Sequence, residues 1–479
     1  MENTSTLLKL PELRSYQSDL NDRIFARWRN HDRVMAVLPT GGGKSLLFGA
    51  VAANFANRDL RVLALAHREE LIVQGAHHLQ NWVNIPVGII KSGHKFQPEL
   101  AVQFASVQTV VNRLDRIGEF DLIIVDEAHH CTSDTYLSIF ERFTTAKILG
   151  LTATPIRTDG SPFDHLFDCL EIGVTTAQLI AGGYLSPYKL FVDPNRMKTK
   201  GARTSMGDFS TSDLARMNDS IELAGNLVGS YQKYANGGTC MIFAINCEHS
   251  ESIAAAYNQH GIAAIHLDAK TDKKIRARSL EALKTGDIKV ISNVGLFGEG
   301  VDIPTLDCVQ IARPTKSLAF HLQMVGRVLR KSAGKEFGII IDHAGNCELL
   351  GLPDDEREWS LQGRPKREKD FDGADIIIDE LERSERAIEV SDVELEEYVV
   401  SPTLQIWHQS LPRLLPATRD LFGLHSSPVE FKADSNQFIV EMFSPGLLKI
   451  GLNKSAEINR ALSDIIGVSV EIELVLANR

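Results

Sequence analysis

The sequence predicts an α/β protein built as two parallel-sheet units in tandem, followed by an acidic linker and a small C-terminal α+β unit. Three observations lead there. Apolar runs of strand length recur between helical or loop stretches, the alternation expected of parallel sheets wrapped by helices. Residues 351–400 hold 17 acidic and 7 basic side chains, which accounts for −10 of the net charge of −11. Beyond residue 400 the composition turns globular again and closes on an alternating run typical of a half-buried strand. At 479 residues the chain exceeds a single core, since domains hold roughly 100–200 residues. The expected divisions are 1–180, 181–350, 351–400 and 401–479.

The first unit begins with Leu13-Arg14-Ser15-Tyr16-Gln17, the start of an amphipathic helix that continues through Leu20, Ile24 and Trp28. A glutamine amide carries a donor and an acceptor, so Gln17, with Arg14 beside it, is a candidate clamp for the edge of an adenine. Val34-Met35-Ala36-Val37-Leu38 reads as a buried strand and residues from Leu46 onward as a helix. Between them lies Pro39-Thr40-Gly41-Gly42-Gly43-Lys44-Ser45. Such a turn lets backbone N–H groups close around a polyphosphate at a helix N-terminus. Lys44 would neutralise the β- and γ-phosphates and Ser45 would offer its hydroxyl to Mg²⁺. The general phosphate-loop pattern has glycine six residues before the lysine, where this chain has Leu38.

Residues 61–66 read as a further strand, running into His67-Arg68-Glu69-Glu70. Leu122-Ile123-Ile124-Val125 is apolar enough for burial on both faces, and Asp126 and Glu127 emerge at its C-terminal end, where open parallel sheets bind ligands. Asp126 suits a role on Mg²⁺, and Glu127 the orientation and deprotonation of an attacking water. Residues 148–151 form a strand ending in Thr152-Ala153-Thr154-Pro155. Periodicity then weakens up to Gly238. Gly182-Gly183-Tyr184-Leu185-Ser186-Pro187 marks the connection between units, and the basic run from Arg196 to Arg203 is either a solvated loop or a phosphate-backbone contact.

The second unit is predicted from strands at 240–244, 262–265, 288–292, 308–311 and 337–341. Arg327 and Arg330 are three apart, which on a helix puts both on one face, and the planar guanidinium suits phosphate oxygens. In the last unit, residues 404–421 read as helical, 429–431 and 438–442 as a hairpin, 445–466 as containing a helix and 468–476 as a strand.

In this order the residues resemble the motifs of superfamily 2 helicases and translocases. Arg14-x-Tyr16-Gln17 is similar to the Q-motif, Pro39 to Ser45 to motif I, His67 to Gln74 to motif Ia, and Asp126-Glu127-Ala128-His129 to a DEAH box. Thr152-Ala153-Thr154 resembles motif III in the form more typical of DNA-acting members. Residues 243–250, 293–302 and 323–330 resemble motifs IV, V and VI. The resemblance, to DEAH-box proteins of the restriction-helicase type and to phage branch-migration helicases, implies two RecA-like domains with ATP and Mg²⁺ in the cleft between them. It further implies that Thr40, Gly41, Gly42 and Gly43 line the phosphates, that His129 senses the γ-phosphate, and that Gly300, Asp302 and Gln323 join Arg327 and Arg330 at the nucleotide. Arg68, Ser106, Gln108 and Thr109 are the implied nucleic-acid contacts. DNA is the expected substrate; an RNA helicase, or a non-unwinding ATP switch that recruits a replication or defence partner, are the alternatives. Residues 401–479 resemble small α+β adaptor modules of bacterial replication proteins and are the expected site of any protein partner. The cysteine-rich zinc ribbon of some relatives is absent from the sequence.

Composition narrows the classes further. Hydrophobic residues make up 43% of the chain, yet no apolar run nears the ~18 residues of a membrane span, and no signal peptide follows Met1. A cytoplasmic protein with no membrane partner is expected. The six cysteines never fall as C-x-x-C and are expected to be reduced thiols.

Overall fold

The computed structural model describes residues 12–363, apart from short segments at 67–71, 73–74, 78, 81–84, 132, 158, 194–195, 206, 219 and 298–302, together with 410–476, again with gaps. The first unit holds strands β1 (Arg33–Val37), β2 (Val62–Ala66), β3 (Val87–Ile90), β4 (Val102–Ser106), β5 (Leu122–Asp126), β6 (Lys147–Thr152) and β7 (Cys169–Ile172). They form one sheet in the order β3-β4-β2-β5-β6-β1-β7, parallel throughout. Helices cover both faces of such a sheet, so its central strands are apolar on both sides: β2 is buried end to end, and β1 and β5 are buried at all but one terminal residue.

This order makes β5, β6 and β1 neighbours. Asp126 is in register with Leu151, and Val37 with Thr152. The loops that follow these strands therefore leave the sheet level with one another, although up to 114 residues separate them in the chain.

The second unit comprises β8 (Tyr188–Val192), a short antiparallel pair β9 (Thr204–Ser205) and β10 (Asp208–Phe209), then β11 (Cys240–Ala244), β12 (Ala264–Leu267), β13 (Val290–Asn293), β14 (Cys308–Ala312) and β15 (Gly338–Asp342). Its sheet runs β12-β13-β11-β14-β15-β8, again all parallel. Buried apolar side chains continue from the first sheet through Leu179 and Leu185 into the second. β12 and β13 begin two residues later than the apolar runs suggest, because Ala263 and Lys289 pair just ahead of the strands.

Structure also fills the stretch where periodicity weakens. β7 forms an edge, and its Glu171, buried to 4% exposure, pairs with Arg23 and Arg27. These arginines belong to the helix Ser15–Arg27, which is thereby fastened to the sheet beside β1. β8 enters the second sheet directly after the connection. The basic run is partly structural: Arg203 donates to Asp213 from both backbone and side chain, holding that carboxyl down at about 2, and Arg196 pairs with Glu348.

Residues 351–363, expected as the start of the linker, are packed. Tyr188 donates to Asp354, His321 Nε2 meets the Gly351 carbonyl at 3.1 Å, and Phe163 N donates to Leu361 O at 2.6 Å. The segment thus straps the second unit back to the first. Residues 364–400 lie outside the described residues, as does almost all of 404–421.

In the C-terminal unit, β16 (Ser426–Lys432) and β17 (Gln437–Met442) form the expected hairpin. β17 also pairs in parallel with β18 (Glu471–Leu476), across the helix Ser455–Ile466. Phe438, Val440 and Met442, spaced by two, face Ile458, Ala461 and Leu462, spaced by three and four; each set is one apolar face of its element.

Candidate nucleotide site

The loop after β1 is shaped by positive φ at Gly41 (82°) and Gly43 (84°), the region glycine enters without steric cost. Space demands glycine as well. A Cβ on Gly41 would lie 2.7 Å from Leu185 Cδ2, and one on Gly43 would lie 2.2 Å from Gln17 Nε2. The helix Lys44–Ala56 starts immediately afterwards, so the loop's N–H groups and the helix dipole face the same space. Lys44 Nζ donates to Leu38 O at 3.3 Å, folding its ammonium over the loop, while Ser45 is exposed on the first helical turn.

Gln17 is fully buried. Its amide nitrogen donates to Gly42 O (3.1 Å) and Gly43 O (3.3 Å), and its oxygen accepts from Arg14 N at 2.9 Å. Here the Gln17 amide nitrogen is directed at the phosphate-loop carbonyls and helps to hold the loop in shape. Tyr16, part of the Q-motif resemblance but given no role of its own there, adds a hydroxyl donated to Gly42 O at 2.9 Å. Arg14 donates to the Tyr16 hydroxyl and lies over the Tyr184 ring, 4.7 Å from its centre. Tyr184 comes from the connection between units, so the start of the chain, the loop and the connection meet at one point.

At the end of β5, Glu127 has φ 50° and ψ 53°, a left-handed conformation that is strained for a side chain other than glycine. The turn Ala128–His130 follows at once, with His130 N donating to Glu127 O at 2.9 Å. Glu127 Oε2 is buried, 3.4 Å from His129 Nδ1. His129 connects three motifs. Its Nδ1 lies 3.0 Å from Thr152 Oγ1, and its Nε2 lies 3.4 Å from Gln323 Nε2 of the second unit. Thr152 Oγ1 in turn donates to Thr154 O at 3.1 Å, so His129 joins the threonines after β6 to the Gln323 amide of the second unit.

The second unit reaches the phosphate loop closely. A Cβ on Gly326 would lie 2.8 Å from Thr40 Cβ and 2.9 Å from Thr40 Cγ2. Only glycine allows the helix Leu318–Gly326 this near. That helix ends at Gly326, which corrects the expectation that Arg327 and Arg330 share a helical face. Arg327 caps the helix, its Nε donating to Gln323 O at 3.3 Å. Arg330 has left the helix and pairs in a bridge with Leu185. Its Cγ lies 3.9 Å from the position of a Cβ on Gly41, and burial pulls its guanidinium below the usual value. The two arginines thus approach by different routes, one through a helix cap and one through the connection.

Ser106 Oγ donates to Gln108 Oε1 at 2.9 Å, at the start of the helix Val107–Val111 that also carries Thr109. In motif V, Asn293 is buried and donates to Ile242 O at 2.9 Å. Arg68, Gly300 and Asp302 lie outside the described residues. All six cysteines are free thiols, and no described helix is long and apolar enough to cross a membrane.

Two parallel sheets in tandem, with a glycine loop and an acidic strand end on one unit and arginines brought to them by the other, define a two-lobed phosphate-loop ATPase of RecA-like fold. Comparison with known proteins places it further. Residues 10–157 match the family described as type III restriction enzyme, res subunit, and residues 220–332 the helicase conserved C-terminal domain. A 51.5 kDa protein of a Lactococcus phage is 34% identical over 325 residues, 67% of this chain and 68% of that one. The DNA 3'-5' translocase XPB2 of Sulfurisphaera tokodaii is 27% identical, over 67% of this chain and 79% of its own length. The ATP-dependent type ISP restriction-modification enzyme LlaBIII, solved bound to DNA, shares the fold with a TM-score of 0.54 and 19% identity, covering 70% of this chain and 28% of that one. The chain belongs to the superfamily 2 helicases: it is an ATP-hydrolysing helicase or translocase that works on nucleic acid.

The Gly326 contact gives a direct test of lobe apposition. Gly326→Ala should slow ATP turnover by about 10²-fold, the usual cost of a displacement near 1 Å in a catalytic arrangement. Its thermal unfolding should stay close to that of the parent, since the added methyl lies between lobes. Steady-state ATPase and a melting curve on the same sample check this.

Proposed function

We propose that the chain is a DNA-dependent ATPase motor whose chemistry is assembled only when its two lobes meet. The observation that carries this reading is the approach of Gly326 to Thr40, with Gln323 on His129 and Arg330 beside Gly41. Lys44 binds the β- and γ-phosphates, Glu127 orients and deprotonates the attacking water, and Arg330, with Arg327 behind Gln323, stabilises charge on the transferred phosphoryl group. The Ser45 hydroxyl and the Asp126 carboxylate are an oxygen-only donor pair, which suits Mg²⁺; the ion would neutralise phosphate charge there. His129 links the γ-phosphate side of the site to the second lobe, so closure and reopening can be passed to a bound strand.

Three features support DNA over RNA: the Thr152-Ala153-Thr154 form, the restriction-enzyme family matched by residues 10–157, and the DNA translocase among the relatives. Residues 401–479 are assigned the binding of a protein partner, and the cell interior is the place of action. ATPase measured with single-stranded, duplex and forked DNA and with RNA tests the reading. DNA should stimulate, and the half-saturating DNA concentration should rise linearly with salt on logarithmic axes, because phosphate contacts release counterions. Stimulation by RNA alone would transfer the assignment to RNA.

A further inference from the structure

Away from the nucleotide, three side chains of different donor chemistry converge at one end of the second sheet. Cys247 opens the helix Cys247–Gln259 that follows β11, His266 lies within β12, and Asp268 comes just after that strand. Their donor atoms all lie within 4.8 Å of one another. Cys247 Sγ is 3.5 Å from Asp268 Oδ2, and His266 Nε2 is 4.0 Å from the same oxygen. The edges of a tetrahedron with bonds of about 2.0–2.3 Å measure roughly 3.3–3.8 Å, so side-chain movements of no more than about 1 Å would complete the geometry.

The atoms facing away from this point are already engaged. His266 Nδ1 bonds Ser250 Oγ at 2.7 Å, and Ser250 Oγ meets Ser292 Oγ at 2.7 Å. Asp268 Oδ1 accepts from Lys270 N (3.0 Å), Thr271 N (2.8 Å) and Thr271 Oγ1 (2.8 Å). That leaves His266 Nε2 and Asp268 Oδ2 turned toward the thiol. The side chains of His266 and Asp268 are only 16% and 15% exposed. Outer partners of this kind fix the tautomer and orientation of metal ligands.

We infer that Cys247, His266 and Asp268 form a mononuclear site for a borderline divalent transition metal, with Zn²⁺ as the best fit. Sulfur and imidazole donors favour such an ion over Mg²⁺ or Ca²⁺. Three protein ligands leave a fourth position open to water. Binding replaces the S–H bond of Cys247 by a sulfur–metal bond and releases the thiol proton to solvent. The ion would tie the first turn of the helix after β11 to the end of β12, inside the segment that resembles motif IV.

The test uses the full chain, stripped with a chelator and titrated with Zn²⁺ by calorimetry and with Co²⁺ by absorbance. One tight equivalent, proton release on binding and a thiolate-to-cobalt charge-transfer band are expected. Cys247→Ser should abolish the band, and Ser250→Ala, which frees the far side of His266, should weaken Zn²⁺ about 10–100-fold. Asp268→Asn keeps an acceptor for the Lys270 and Thr271 amides and should also lose affinity; it decides the matter if Cys247→Ser does not fold. A folded parent without the band, or a band or affinity unchanged by the Cys247 or Asp268 substitution, overturns the site.

Discussion

Glu127→Gln is expected to bind ATP as the parent does and to hydrolyse it about 10²–10⁴-fold more slowly, the usual contribution of a positioned general base. Glutamine has the same shape, so the left-handed backbone at position 127 and the turn Ala128–His130 should survive the change. What disappears is a carboxylate held out of bulk water at the end of β5, with His129 3.4 Å from its buried oxygen. An amide cannot take a proton from the attacking water. Binding of a fluorescent ATP analogue, compared with single-turnover hydrolysis, separates the two effects. Hydrolysis at the parent rate would remove Glu127 from the chemistry.

Arg330→Ala should leave nucleotide affinity within a few-fold of the parent and cut stimulated turnover by about 10³–10⁵, the range found for arginine fingers. The nucleotide loop belongs to the first lobe, whereas Arg330 arrives beside Gly41 from the second, through its bridge with Leu185. On the proposed role, its interaction with phosphate is made chiefly when the lobes are together. Arg327→Ala should be damaging by another route, by loosening the helix end that carries Gln323 and so its contact with His129. Equal loss of binding and turnover in Arg330→Ala would make that residue a structural part of the loop. Stopped-flow binding beside DNA-stimulated ATPase distinguishes these outcomes.

Much of the site was legible along the chain because its parts are local. The loop from Pro39 to Ser45 and the acidic end of β5 each combine an apolar strand with polar residues at its C-terminal end, a pattern that short-range rules detect. Edge strands were less legible. β7 carries Glu171 in a four-residue strand, and that acid is buried only because Arg23 and Arg27 meet it from a helix about 145 residues earlier. The strap at 351–363 was hidden in the same way, since composition records its charge and says nothing of Leu361 reaching Phe163.

By itself the sequence determined the two α/β units, the phosphate loop, the DEAH residues and the order in which the motifs appear, because strand periodicity and loop chemistry are properties of neighbouring residues. Tertiary structure decided the rest. Parallel pairing of β5, β6 and β1 brought Asp126, Thr152 and the phosphate loop level. Close packing turned the Gln17 amide inward onto the Gly42 and Gly43 carbonyls, where a buried polar group must find partners. The same packing put His129 between Thr152 and Gln323 and separated Arg330 from the helix of Arg327. Each of these outcomes depends on contacts between residues far apart in the chain, and a hydrogen bond or a shared core exists only once the distant partner has arrived.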